Sequence, residues 1–443
     1  MYPFGRIPRI VTMTKNQKTV CIIGGGPGGL AAARVLSKDF PEAKITLIEK
    51  EEDVGGVWYY PENNKEGRVM YDYLETNLSK DLMKFSGFPF KDDVPFYPRK
   101  NQVFEYLKEY YQTYIKNHSN VDIELETEVI NVDKKSDKWI VTTKHANSEK
   151  VREFDFVIVS NGHFKEPKYP KDVSGLDSWL SNGKAFHSKD FYNCEFAKDK
   201  KIIVVGNGSS GSDIANQIST VAAKVYVSVT NVEDFKDKNN DPEFIVEYIP
   251  KIKSVGGDDS SVKLEDGRVI ENIDYIIYAT GYLYSLPFFA SHISEKLLKP
   301  DQSGITNLWE QCVYKEDPTL GFLLLSIMVV PFPLAESQST ILSQVFQGNI
   351  DIATVTPSRD EVEHEKNYGH NFPKLSDIDF YRELQDILDK HGSNTFKPVV
   401  WDEVYEKKRK ESAEVKQQRN EYLAKHAQKL HKENRPYYLP DNF

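Results

Sequence analysis

Two glycine-rich turns contain the residues whose types and spacing most directly suggest chemistry. Each has the spacing GxGxxG and follows a short apolar run, a pattern typical of a loop that binds the pyrophosphate of a dinucleotide. One such motif is a weak signal, whereas two predict two bound dinucleotides and electron transfer between a nicotinamide and a flavin. The first turn comprises Gly24, Gly25, Gly26, Pro27, Gly28 and Gly29, and the second comprises Gly206, Asn207, Gly208, Ser209, Ser210 and Gly211.

The first turn has the features of an FAD site. Gly24 suits a tight turn, Gly26 lets the backbone approach a pyrophosphate, and Gly29 permits a helix to pack closely on a strand. Glu49 lies 20 residues after Gly29, where its carboxylate can accept hydrogen bonds from ribose hydroxyls. The Trp58 ring is interpreted either as a contact of the bound cofactor or as part of the hydrophobic core. The turn that would pass along the extended cofactor is Gly55, Gly56, Val57 and Trp58.

The second turn favours NADPH over NADH. The strand that follows it ends in Ser228, Val229, Thr230 and Asn231, so no carboxylate is present to repel a ribose 2'-phosphate. An Arg that could bind this phosphate in a bidentate manner is also missing there. Lys224 and Lys236 are the two cations that we consider as substitutes.

Two βαβ units position these turns. In each unit an apolar strand precedes the glycines, a helix follows them, and a second strand comes next. Between the units, β-branched residues predict a small antiparallel layer over 121–132 and 138–144. Residues 402–433 predict a long helix with a solvated, charged face, and Val415, Tyr422, His426 and Leu430 recur on it at helical spacing. The two units are predicted at 19–23, 30–40 and 44–48, and at 201–205, 213–220 and 224–229.

Composition excludes several classes of protein. The net charge of -10 over 443 residues gives no basic surface for nucleic acid. Three cysteines, Cys21, Cys194 and Cys312, are too few and too scattered for a disulfide framework or a zinc site, so we expect a reducing compartment and a cytoplasmic protein. The longest apolar run, 321–330, is shorter than the roughly 20 residues that span a bilayer, so no transmembrane segment is predicted.

From Thr19 to the C-terminus, the sequence resembles the flavin-containing monooxygenase family. Its identifying pattern FxGxxxHxxx(F/Y) is matched by Gly183, His187 and Phe191, although Ser181 stands where the family has its first Phe. Phe191 separates the chain from Baeyer-Villiger monooxygenases, which resemble this motif but end it in Trp. The other shared motifs are the two glycine turns, 55–58, Leu74-Glu75-Thr76-Asn77, 85–90 and Ala279-Thr280-Gly281-Tyr282.

The resemblance implies a chemistry. Hydride from NADPH would reduce FAD, dioxygen would add at flavin C4a, and a soft nucleophile would attack the resulting hydroperoxide. The resemblance is greatest to the fungal branch, which oxidises glutathione, cysteine and cysteamine, and amines and sulfides are further candidate substrates. Asn77 would be catalytic, its amide stabilising the hydroperoxide, unless Thr76 and Asn77 only cap a helix. His187 is interpreted as structural, and His163 as a cleft residue or a satisfied loop histidine. The remaining cofactor-binding residues are Thr76, Ser228, Thr280 and Gly281.

We predict an α/β fold of two doubly wound dinucleotide-binding (Rossmann-like) domains, the smaller NADPH domain inserted in a discontinuous FAD domain. The expected limits are an N-terminal tail at 1–18, FAD domain at 19–185, NADPH domain at 186–284, and FAD domain again at 285–443. A homodimer and peripheral contact with the cytosolic face of the endoplasmic reticulum stay open. The alternative functions are a flavin-dependent NADPH oxidase or reductase and a non-catalytic nucleotide-binding scaffold.

Overall fold

Strands rich in Val and Ile form two separate sheets, one mixed and one entirely parallel, in a computed structural model of the chain, which describes residues 17–61, 67–240, 245–257 and 260–440. The strands are β1 Thr19–Ile23, β2 Lys44–Ile48, β3 Val121–Glu124, β4 Thr127–Lys135, β5 Lys138–His145, β6 Ser148–Phe154, β7 Phe156–Val159, β8 Glu166–Pro167, β9 Ala185–His187, β10 Lys201–Val205, β11 Lys224–Ser228, β12 Val246–Ile249, β13 Ile252–Val255, β14 Val262–Leu264, β15 Val269–Ile270, β16 Tyr275–Tyr278, β17 Tyr282–Leu283, β18 Leu308–Trp309, β19 Val313–Tyr314 and β20 Leu320–Phe322.

Helices cover one face of each of these sheets, and the other face packs mainly against a small antiparallel sheet. The α-helices are α1 Pro27–Asp39, α2 Lys100–Tyr114, α3 Leu176–Ser181, α4 Ser209–Ser219, α5 Lys236–Asn239, α6 Ser291–Leu297, α7 Pro331–Phe346, α8 Glu361–Tyr368, α9 Asp377–His391 and α10 Glu403–Lys432. Short 3₁₀ helices lie at Gly56–Trp58, Ser188–Asp190, Glu195–Ala197, Glu233–Phe235 and Pro373–Leu375. In the described residues no helix is both long and apolar enough to span a membrane.

The first sheet has seven strands in the order β18-β19-β20-β7-β1-β2-β3. From β20 to β3 neighbouring strands are parallel, with Val20 of β1 opposite both Ile45 of β2 and Phe156 of β7. Burial on both faces explains why these strands are continuous apolar runs. Strands β18 to β20 come from a late part of the chain, so the first domain is discontinuous, as predicted. The strand order reverses between β1 and β7, where ligands bind in such sheets.

The second sheet is entirely parallel in the order β12-β11-β10-β16-β9 and has its own core. The predicted limit between residues 185 and 186 falls inside β9, so this sheet begins before that limit. Strands β8 and β17 pair where the chain passes between the two sheets, and we propose this pair as the domain boundary. Residues 1–16 of the predicted tail lie outside the described residues.

The predicted antiparallel layer is present, but its first strand was wrongly placed. Strands β4, β5 and β6 form it, whereas residues 121–124 are β3, which pairs with β2 at the edge of the first sheet. Glu126, with a φ of 50°, separates β3 from β4. A continuous run of alternating β-branched and polar residues therefore concealed a change of sheet.

Candidate cofactor sites and their junction

The first glycine turn leaves no room for side chains at two of its positions. Gly24 has a φ of +104°, and a Cβ on Gly29 would lie 1.9 Å from the Gly24 carbonyl oxygen. Pro27 occupies the first turn of α1, where its missing N–H costs nothing. The N-terminus of α1 therefore meets the carboxyl end of β1, and the first N–H groups of a helix lack partners within the helix, which suits a pyrophosphate.

Glu49 lies beside this turn at the end of β2. Only 6% of it is exposed, and its two carboxylate oxygens accept hydrogen bonds from the backbone N–H groups of Gly25 (2.6 Å) and Glu51 (2.9 Å). Burial raises the pKa of Glu49 above its usual value, against the lowering effect of these two bonds. Each oxygen has a second lone pair, which can accept a ribose hydroxyl. The geometry therefore fits the predicted role of Glu49.

The turn over 55–58 packs directly against the first glycine loop. Gly55 and Gly56 have φ values of +124° and +57°, and the Gly55 N–H donates to the Gly25 carbonyl at 2.9 Å. A Cβ on Gly56 would lie 2.9 Å from the Gly26 Cα, so the two backbones need glycine to meet. Trp58 packs against the domain core while remaining partly exposed.

The second glycine turn repeats this geometry and leaves an open cradle. Gly206 has a φ of +99°, and a Cβ on Gly211 would lie 2.1 Å from the Gly206 carbonyl oxygen. By contrast, a Cβ on Gly208 would meet no heavy atom within 4 Å. Asn207 has a buried Oδ1 without a hydrogen-bond partner in the described part of the chain. Ser209 begins α4 next to this space, so a pyrophosphate fits at the helix N-terminus.

A cavity of about 540 Å³ opens beside Gly206 and Asn207. Ser228, Thr230 and Asn231, which were assigned to the NADPH site from the sequence, line it. The two predicted cations do not: Lys224, at the opposite end of β11, pairs with Glu247 at 3.2 Å, and Lys236 lies outside the lining.

Among the described residues, Lys251 is the one cation that lines this cavity. Three acidic residues also line it: Asp172, Asp234 and Glu265. Lys251 follows β12, and the Ser228 hydroxyl, which donates to the Pro250 carbonyl at 3.1 Å, brings that segment to the end of β11. Sequence reasoning missed Lys251 because the pairing of β11 with β12 was not predicted.

The motif histidine His187 ties β9 to the loop after β16. Its Nε2 donates to the Gly281 carbonyl at 2.9 Å, and its Nδ1 accepts from the Lys189 N–H at 3.2 Å, which fixes the neutral tautomer. Burial lowers the pKa of His187 to about 4. Thr280 is held in the same loop by a hydrogen bond from its hydroxyl to the Lys168 carbonyl. The structural interpretation of His187 therefore fits this geometry.

Acid should destabilise the protein through His187. Since its folded pKa is below the unfolded value of about 6.5, its stabilising contribution is complete above pH 6.5 and is lost as the pH falls towards 4. Between pH 7 and pH 5 this amounts to about 2 kcal/mol. We expect His187→Gln to show a smaller loss of Tm over this range than the wild type. His292→Gln, at an exposed position, is the control; an equal loss in all three proteins would contradict the assignment.

The segment with the predicted catalytic residue is a loop, not a helix start. Thr76 is buried, its N–H donates to the Pro98 carbonyl at 2.9 Å, and its hydroxyl donates to the Leu78 carbonyl at 2.7 Å. No helix begins there, so the alternative of a helix cap is wrong. Asn77 is exposed, and its amide has no hydrogen bond to any other described residue. This amide is therefore free to bind a ligand.

Neither His163 nor the cysteines offer redox or acid-base chemistry. His163 packs against Phe164 and Tyr284, and burial lowers its pKa to about 4. All three cysteines are buried and unpaired, and burial raises the pKa of each thiol. The three thiols lie in three different cores, so they supply no cysteine pair for a disulfide reductase mechanism.

Comparisons with known proteins agree with this architecture. The Flavin-binding monooxygenase-like (FMO-like) family matches residues 17–244 and 239–394. The thiol-specific monooxygenase of Saccharomyces cerevisiae is 47% identical over 438 residues, which cover 97% of this chain and 99% of that protein. Flavin-containing monooxygenase 3 of Rattus norvegicus is 28% identical, with 79% of this chain and 77% of that protein covered.

Among solved structures, S-allyl-L-cysteine S-oxygenase from Allium sativum shares the fold with a TM-score of 0.75 and 24% identity, covering 94% of this chain and 99% of that chain. Its likeness supports the two-domain α/β architecture, and the glycine cradles described above fit FAD and NADPH. The chain therefore belongs to the Flavin-binding monooxygenase-like family and is a flavin-containing monooxygenase that uses FAD and NADPH.

Proposed function

We propose that this enzyme transfers one oxygen atom from O₂ to the sulfur of small biological thiols such as glutathione, cysteine and cysteamine. The observation that carries the proposal is the 47% identity, over nearly the full length of both chains, to a yeast protein named as a thiol-specific monooxygenase. Phe191, which ends the family motif, supports it because the corresponding Trp is typical of enzymes that act on carbonyl carbon.

FAD, when bound, supplies the redox chemistry, taking hydride from NADPH and delivering oxygen to the substrate. The chain contributes binding and orientation. The turns at Gly26 and Gly208 hold the two pyrophosphates, and Glu49 holds a ribose. Asn77 offers a neutral amide donor, which stabilises developing charge without giving up a proton.

The two histidines that the sequence singled out offer no acid at neutral pH, and this suits a thiol. His163 and His187 are both neutral at pH 7 because burial lowers their pKa values to about 4. A sulfur lone pair is nucleophilic enough to need no general base. The balanced reaction is RSH + NADPH + H⁺ + O₂ → RSOH + NADP⁺ + H₂O, and a second thiol converts RSOH to a disulfide and water.

The substrate class is tested by comparing kcat/KM for glutathione, cysteine and cysteamine with that for a tertiary amine and a thioether. With catalase present to remove peroxide, we expect two thiols to disappear for each NADPH consumed. A kcat/KM for the amine above that for every thiol would overturn the assignment. Equal rates with and without any substrate would favour the alternative of an NADPH oxidase.

Lys251 should set the preference for NADPH. As the cation in the cavity, it is positioned to neutralise a 2'-phosphate, which NAD⁺ lacks. We expect Lys251→Met to weaken NADP⁺ binding about tenfold, equivalent to about 1.4 kcal/mol, and to leave NAD⁺ binding unchanged. The measurement is a titration of the oxidised holoenzyme followed by flavin absorbance. Lys236→Met is the control. If it weakened NADP⁺ binding more than Lys251→Met, the prediction from sequence that Lys236 binds the 2'-phosphate would be favoured instead.

A further inference from the structure

The C-terminal helix α10 contacts both domains. Near its start, Tyr405 joins the core of the first domain, and its hydroxyl donates to the Leu82 carbonyl. Near its end, Ala427 and Leu430 join the core of the second domain together with Ile214 of α4. The helix therefore has buried residues as well as the predicted solvated face. Its apolar residues pack into the cores of both domains and anchor it across the junction between them.

Two cations in the middle of α10 are buried against the loop that contains Asn77. Lys416 Nζ and Arg419 Nη2 lie 2.9 Å and 2.7 Å from the two carboxylate oxygens of Glu75. The exposed fractions of these side chains are 13% for Lys416, 6% for Arg419 and 6% for Glu75. Both carboxylate oxygens of Glu75 are thus bound to cations on α10, and removal of either cation would leave buried charge unpaired, so this cluster ties the loop to the helix.

Lys416 also holds the backbone one residue from Asn77. Its Nζ donates to the Thr76 carbonyl at 2.9 Å and lies 4.4 Å from the centroid of the Tyr97 ring. The position of Asn77 thus depends on α10 through a side chain that makes three directed contacts. An exposed surface lysine would have no such constraint.

The loop that contains Asn77 precedes α2 and also includes Tyr71 and Asp72, which contact the NADPH domain directly. The Tyr71 hydroxyl donates to Asp213 Oδ2, on α4, at 2.6 Å, and the Asp72 N–H donates to the Tyr192 carbonyl at 2.9 Å. Helix α4 begins at the second glycine turn and also packs against α10. The loop, α10 and the NADPH-binding helix therefore form one contiguous contact network.

We propose that Lys416 and Arg419 are positioning residues, which hold Asn77 in its working place by fixing Glu75 and the Thr76 carbonyl from a helix anchored in both domains. This inference rests on the proposed role of Asn77. If the Lys416 contacts are lost, Asn77 is no longer held in place. The reduced holoenzyme then reacts with O₂ to release hydrogen peroxide in place of oxidised substrate. A misplacement of about 1 Å at a reacting centre can change a rate by up to about 100-fold.

The test compares Lys416→Met with Lys408→Met on the same helix, where Lys408 makes an exposed ion pair with Asp81 at 3.0 Å. Lys416→Arg is the conservative rescue. All are purified as FAD holoenzymes, and peroxide release from NADPH and O₂ is measured without substrate, together with Tm. We expect Lys416→Met to release peroxide about tenfold faster than the wild type, with Lys416→Arg and Lys408→Met close to the wild type.

Equal peroxide release from Lys416→Met and Lys408→Met would overturn the proposal, as would a fall in Tm for Lys416→Met with no change in peroxide. The NADP⁺-induced change in flavin absorbance, measured on the oxidised protein without turnover, should also be altered only in Lys416→Met. A wrong assignment of the thiol substrate gives a different result. Thiols would then fail to stimulate the wild type, while the difference in peroxide release between Lys416→Met and Lys408→Met would remain.

Discussion

Replacement of Asn77 by Leu is expected to turn the monooxygenase into a wasteful NADPH oxidase. The side chain is exposed and bonds to no other described residue, so the change should leave folding and FAD content intact. Loss of one positioned hydrogen-bond donor at a reacting centre typically costs 10²–10³-fold. We therefore expect the yield of oxidised thiol per NADPH to fall by about 100-fold while peroxide rises towards one per NADPH.

The matched control is Asn101→Leu, which removes an exposed amide from α2. Tm and the flavin spectrum of both variants should match those of the wild type. If Asn77→Leu kept the wild-type yield of oxidised thiol, Asn77 would have no catalytic role, and the inference on Lys416 would lose its basis.

The second large effect concerns two glycines of the NADPH turn. A Val side chain at Gly208 points into the open cradle, whereas one at Gly211 collides with the Gly206 carbonyl. We expect Gly208→Val to fold and keep FAD but to bind NADP⁺ about 100-fold more weakly, equivalent to about 2.7 kcal/mol. Gly211→Val should instead lower Tm or prevent folding, because backbone atoms cannot move aside.

Titration with NADP⁺, flavin content and thermal unfolding separate these outcomes. Normal NADP⁺ binding by Gly208→Val would show that the pyrophosphate does not occupy the cradle. A stable Gly211→Val protein would contradict the packing of α4 against the second sheet.

The strands and the glycine turns could be predicted from sequence because their determinants are local. β1, β2 and β10 have the predicted bounds, since apolar runs buried in a parallel sheet end abruptly at glycine or at a charged residue. The helices start earlier than predicted, at Pro27 and Ser209, because glycine and serine are tolerated in a first turn that is stabilised by the strand beside it.

Features that depend on distant parts of the chain could not be predicted. The burial of Arg419 is determined by Glu75, and the position of Lys251 by the pairing of β11 with β12. Charged residues on α10 therefore suggested a solvated face, although Arg409, Lys416 and Arg419 form largely buried ion pairs. Tyr422, which the helical spacing placed with Leu430, is 38% exposed, while Leu430 is 1% exposed.

The central claim is tested most directly by following NADPH, O₂ and peroxide together in the purified FAD holoenzyme, with and without glutathione or cysteamine. Our account predicts that thiol stimulates NADPH consumption, that one O₂ is used per NADPH, and that little peroxide appears even without catalase. Consumption that is unaffected by thiols, with peroxide equal to the NADPH consumed, would contradict it.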